Sequence, residues 1–150
     1  MDDLFITEWE LQYFHAYFNS VLFDNQLSPV YIRIDQPKDE DVEDTVLAAF
    51  FEKYDPYLIV IYDDPDDKAY LANKVFILCV LLHEMVHQYC HQNEIQDMDN
   101  GHHTELFYDE CKKHGMKDGY SFSQSTKEIT TDMLMKLGVN KAMRDLYFKM

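Results

Sequence analysis

The chain has 150 residues, 47% of them hydrophobic, and its 28 acidic against 13 basic side chains give a formal net charge of −15. That length is most simply one domain with a core of its own, and 11 Tyr with 10 Phe predict that aromatic packing dominates it. A surface this negative repels phosphate backbones and anionic lipids, and the densest basic cluster is only Lys112, Lys113 and Lys117, so direct binding of nucleic acid or of a membrane surface is not expected.

The opening Met1-Asp2-Asp3 is acidic where a secretory signal is basic, and no small-residue cleavage site follows an apolar core. The apolar run 75–82 is broken by His83 before it reaches the length of a membrane span. Cys79, Cys90 and Cys111 are odd in number and lack paired short spacing, so they read as reduced thiols. The expected compartment is the cytoplasm.

Thr7-Glu8-Trp9-Glu10 matches a capping box, and a helix is predicted to follow to about Phe23, with Tyr13, Phe14, Tyr17, Phe18, Val21 and Leu22 as its apolar stripe. His15 stands alone on it and reads as a surface or satisfied histidine. Asp24-Asn25-Gln26 breaks the pattern, and Ser28-Pro29 leads into the alternating strand 30–34. Residues 35–44 are acidic and proline-interrupted, a solvated loop without the ligand spacing and glycine of an EF-hand. Residues 45–52 and 57–62, joined by Lys53-Tyr54-Asp55-Pro56, predict a hairpin in a small sheet with the first strand. Asp63-Asp64-Pro65-Asp66-Asp67 then offers carboxylates to the positive end of the next helix.

That helix, residues 75–91, carries the chemistry. Its first part is apolar on every face, which marks a buried helix, and at its end stands His83-Glu84-Met85-Val86-His87. Short motifs arise by accident, and most histidines on helices ligate nothing. Here, though, two imidazoles and a carboxylate at the end of a buried helix need partners, and a metal ion with its water satisfies all three. Histidines four apart share a face, so both can converge on one ion. Glu84, about 100° away around the helix, is placed to take a proton from the water on that ion, which is how HExxH zinc hydrolases work.

A catalytic zinc needs a third protein ligand. His91 repeats the four-residue spacing, but a straight helix carries it away, and Gln88-Tyr89-Cys90 lack the glycine that turns the chain in HExxHxxGxxH. Cys90 is out of phase with the two histidines and reads as packing. Residues 92–100 form a polar loop, Gly101 follows a loop-forming Asp99-Asn100, and a third helix is predicted from about His103 or Thr104 to His114, stopped by Gly115. Glu105 with Asp109, or a histidine at the head of that helix, His102 or His103, could complete the site. The tail 120–150 predicts one or two short helices around 129–137 and 139–148, separated by Gly138, with no chemistry attached.

Leu81-Leu82-His83-Glu84-Met85-Val86-His87-Gln88-Tyr89, then a polar loop, then His103-Thr104-Glu105-Leu106-Phe107 with Cys111 and Gly115, resembles the SprT-like metallopeptidases, which include bacterial SprT proteins and the eukaryotic Spartan proteases. The resemblance covers about residues 8–115 within one domain spanning 1–150, including the entry helix, Leu27-Ser28-Pro29, the strand and the Ala48-Ala49-Phe50-Phe51 hairpin; its motifs are specific from Leu81 onward. It implies an α+β, zincin-like fold, with a small three-stranded, mostly antiparallel sheet packed on the N-terminal helix and the buried HExxH helix. Members carry a later His with an aromatic four residues on, which favours His103, with Phe107 on the same helical face, over His102. The cysteine-rich zinc ribbon of many relatives is absent and the surface is acidic, so small phage-borne or mobile-element members with only the core domain are the nearer likeness, and the DNA-linked activity of larger relatives is not carried over.

The resemblance implies a zinc-dependent peptidase acting on a protein or peptide, with zinc on His83, His87 and His103 and Glu84 as general base. Strand 57–62 is the expected sheet edge for an extended substrate. The rival reading is a catalytically silent, zinc-stabilised binding or adaptor protein. Substrate identity and oligomeric state are not written in the sequence.

Overall fold

The computed structural model describes residues 5–35, 48–63 and 74–114. The loop 36–44, the acidic run 64–67 and the tail 120–150 lie outside the described residues.

The first helix, α1 (Glu8–Leu22), starts on the expected capping box. The Glu10 backbone N–H donates to Thr7 Oγ1 (3.1 Å), and the Thr7 N–H donates back to Glu10 Oε1 (3.0 Å). Leu11, Phe14 and Phe18 are fully buried along one face, with Tyr13 and Tyr17 packed beside them. Val21 is 51% exposed, so it does not belong to the stripe; the helix is ending there and its face has turned to solvent. Asp24 and Asn25 take left-handed conformations (φ 51° and 59°) that reverse the chain. The Asn19 amide then clasps both backbone groups of Leu27 at 3.0 Å.

Strand β1 (Val30–Asp35), β2 (Ala48–Phe51) and β3 (Tyr57–Tyr62) form one sheet in the order β1-β3-β2. The β2–β3 hairpin is antiparallel, from Ala48 opposite Ile61 to Phe51 opposite Leu58. β1 runs parallel to β3, from Val30 opposite Tyr57 to Asp35 opposite Tyr62. The sheet is therefore mixed rather than mostly antiparallel, and β3 is its centre. Having a partner on each side, β3 has no edge to offer an extended substrate, which corrects the expectation for strand 57–62. The outer edge of β1 is occupied by α1: Gln12 accepts from the Ile32 N–H (2.7 Å) and donates to the Val30 carbonyl (3.3 Å), while Glu8 accepts from the Ile34 N–H (2.7 Å). Among the described residues no strand pairs with the outer edge of β2.

Helix α2 (Lys74–Gln92) packs on α1, on β2 and β3, and on the last helix, which explains why its first part is apolar on every face. Residues 77–82, Met85, Val86 and Cys90 are buried in the core. Among the buried polar side chains on α2, Gln88 is fully enclosed; it accepts from His15 Nε2 (3.0 Å) and donates to the Ser28 carbonyl (2.8 Å). His15 is thus a buried, satisfied histidine rather than a surface one. No helix among the described residues is long and apolar enough to cross a membrane.

After α2 the chain forms a small hairpin, β4 (Met98–Asp99) with β5 (His102–His103), then α3 (Glu105–Lys113). The two residues between the strands, Asn100 (φ 51°) and Gly101 (φ 79°), are both left-handed, as a two-residue hairpin turn requires. This differs from the expected unstructured loop. It also means that α3 begins after His103, not at it. Thr104 is the N-cap: its Oγ1 accepts from the Phe107 N–H (3.2 Å) and donates to the Gln96 carbonyl (2.6 Å), tying the head of α3 to the strand-free chain before β4.

Candidate metal centre

Three imidazoles meet where α2 faces the β4–β5 hairpin. His83 and His87 come from successive turns of α2, and His103 from β5. The Nε2 atoms of His83 and His87 are 3.3 Å apart, as are those of His87 and His103, and one ligand atom from each of the three lies within 4.8 Å of the others. A tetrahedral ion holding nitrogens at 2.0–2.1 Å spaces them by about 3.3–3.4 Å, so the donor set fits such an ion. The three histidines thus lie close enough to bind a metal ion.

The state of the rings supports this. His87 Nδ1–H donates to Asp97 Oδ2 at 2.7 Å, which fixes the tautomer and leaves Nε2 as a lone-pair donor. Burial pushes His83 well below its usual pKa, and the neighbouring His87 and His103 push it further. His103 is lowered by burial and then by His87, against an opposing pull from Asp97. Both rings are therefore neutral near pH 7, with a lone pair to give. Burial raises Asp97, but the hydrogen bond it accepts from His87 and the electrostatic pull of that ring outweigh this, and the carboxyl stays below its ordinary value. Beneath the cluster Phe107 of α3 stacks on His87 (4.3 Å between centroids) and on His103 (4.6 Å), and meets His83 edge-on (5.0 Å). An apolar floor of this kind holds the rings in place without competing for the ion.

Glu84 is 6% exposed, and with His87, Asp97, Met98, Phe50 and Glu52 it lines a cleft of about 380 Å³. Burial pushes its carboxyl up to about 7, His87 pulls it down, and Asp97 adds to the rise. A carboxyl with that pKa can both take and return a proton near neutrality.

The other candidates lie elsewhere. His102 is exposed and sits opposite Asp99; successive residues of a strand face opposite ways, so it turns from the side on which His103 meets His83 and His87. Glu105 and Asp109 are exposed on α3. His91, one turn beyond His87, donates from Nδ1 to Glu52 Oε2 (2.8 Å). Cys90 is buried in the core with its thiol pushed up to about 12, mainly by burial. His103 was expected on a helix, in phase with Phe107; it stands instead on a strand and stacks on Phe107 from outside α3. Sequence reasoning missed Asp97, since a carboxylate in a polar loop carries no spacing rule, and it missed the hairpin, although Asn100-Gly101 is a strong short-range hairpin signal. Compared with models of protein families, with curated proteins and with solved structures, the chain finds no match.

Proposed function

We propose that this chain is a zinc-dependent peptidase of the SprT-like, zincin-like kind. The observation that carries the reading is the cluster of three imidazoles, with Nε2 of His87 3.3 Å from those of His83 and His103, beside a buried carboxyl that opens onto a cleft. Imidazole nitrogens alone suit several transition ions; zinc is chosen because His83 and His87 flank Glu84 in the HExxH pattern. Bound there, zinc supplies Lewis acidity, which lowers the pKa of a water toward neutrality and polarises a carbonyl.

The chain's own side chains do the rest. Asp97 keeps the proton on Nδ1 of His87, so that Nε2 can ligate. Glu84 takes the proton of the attacking water and passes it to the leaving amine. The outer edge of β2, next to Phe50 and Glu52 on the cleft wall, is the strand an extended peptide would pair with. The likeness of residues 81–89 and 103–107 to the SprT-like pattern supports the same reading.

The test is elemental analysis of purified protein together with cleavage of an unfolded protein such as casein, for the wild type and Glu84→Gln. We expect one equivalent of zinc in both, with cleavage lowered at least about 100-fold in the variant. Zinc present in both with no cleavage by the wild type would favour the zinc-stabilised binding protein, and absence of any transition metal would end both readings.

A further inference from the structure

We propose that the cavity beside His91 is a substrate subsite for a cationic side chain, arginine or lysine, two residues away from the bond being cleaved. The proposal rests on the peptidase reading and adds a substrate class to it. His91 follows His87 by one turn on the same face of α2, about 6 Å along the axis. Its ring does not join the other imidazoles. It donates to Glu52 at 2.8 Å and stands edge-on to Tyr57, at 5.4 Å and 88°. Behind this pair opens a cavity of about 620 Å³, walled by Glu52, Tyr54, Asp55, Tyr57 and His91. Glu52 also lines the metal cleft with Glu84 and His87, so the two spaces share one carboxylate.

Spacing connects them. An extended peptide advances about 3.3 Å per residue, so one laid along α2 with its bond held at His87 and Glu84 brings the side chain two residues away level with His91. The chemistry of the wall then selects what enters. Glu52 accepts one hydrogen bond from His91 and has further lone pairs to accept with; its side chain is 64% exposed, so it is within reach of a ligand. Asp55 adds a second carboxylate, and the rings of Tyr54 and Tyr57 line the same cavity, aromatic surface of the kind that receives a guanidinium or an ammonium. Lys53 lines the same cavity and lies over the ring of its sequence neighbour Tyr54, 5.4 Å from Nζ to the centroid, so an incoming cation must displace it or share the two carboxylates with it. A chain of net charge −15 draws cationic peptides toward it from a distance.

The experiment walks a single arginine along a neutral fluorescent peptide. Affinity is measured by anisotropy on zinc-loaded Glu84→Gln protein, and cleavage of the same peptides is measured with the wild type. The expected result is one position at which arginine binds about fivefold tighter than alanine, a gain that shrinks with added salt and is lost in Glu84→Gln/Glu52→Gln protein. Cleavage should map that position two residues from the broken bond. Glu84→Gln/Asp55→Asn protein gives the same readout should Glu52→Gln unfold the β2–β3 turn. A flat binding profile, or a gain that both carboxylate variants retain, overturns the subsite. The two readings fail separately: a peak lost in the variants without any cleavage keeps a cation-binding cavity but removes the peptidase and with it the subsite's place beside a broken bond, while cleavage with a flat profile keeps the peptidase and removes the subsite.

Discussion

At the scale of single residues, the centre depends on one hydrogen bond as much as on its three rings. Asp97 holds His87 at 2.7 Å in the tautomer that can ligate. In Asp97→Asn the ring loses its anionic partner, so zinc affinity should drop by about 10- to 100-fold, measured by competition with a chromophoric chelator. His102→Ala, which alters an exposed ring on the other side of β5, should leave affinity unchanged in the same assay. An equal loss in both would show that the hairpin's stability, rather than the tautomer, controls binding. His83 and His87 were legible in the sequence because their four-residue spacing is itself a property of the helix that carries them. Asp97 was not, because the loop that folds it back onto His87 carries no periodicity to read.

At the scale of elements, local signals proved reliable where one short segment sets its own conformation. The Thr7 capping box, the strand alternation at Val30 and the β2–β3 hairpin all follow from neighbours a few residues apart. The order β1-β3-β2 does not, since the choice of partner for β1 depends on α1 seating on β1 and α2 on β2 and β3, and leaves no local trace. The β4–β5 hairpin was legible from Asn100-Gly101 but was read as loop, because strands of two residues show no alternation. Gly101 at φ 79° is the position where that hairpin is most sensitive. A Cβ there meets nothing within 4 Å, so the cost of Gly101→Val is conformational, about 1–2 kcal/mol for a residue forced left-handed. Because His103 lies two residues on, that strain should appear as roughly a tenfold loss of zinc affinity with little change in the core. Titration of the variant beside its thermal melt measures both; an unchanged affinity would mean that His103 is held by α3 alone.

For the whole molecule, stability should depend on pH and on metal, each through buried groups. His15 is 5% exposed and its pKa is lowered by burial, despite the opposing hydrogen bond to Gln88. An unfolded chain takes up that proton near pH 6.5 and the folded one does so only at lower pH. The stability contributed by the neutral ring is therefore complete above about pH 6.5 and is lost as the pH falls from there through the folded value, at up to about 1.4 kcal/mol per pH unit. Urea melts at pH 7.5 and 5.5 should show a smaller fall for His15→Gln than for wild type; parallel curves would assign the acid loss to other groups. Zinc at about 100 times its dissociation constant should add about 2.7 kcal/mol, and a chelator should remove it, as read by the shift of the thermal midpoint.

The asymmetry of the sheet carries one more implication. With Gln12 and Glu8 sealing the flank of β1, any foreign strand that joins this sheet through its described residues has a single berth, along β2. On the proposed peptidase reading, a substrate and a second copy of the chain would then compete for the same rail.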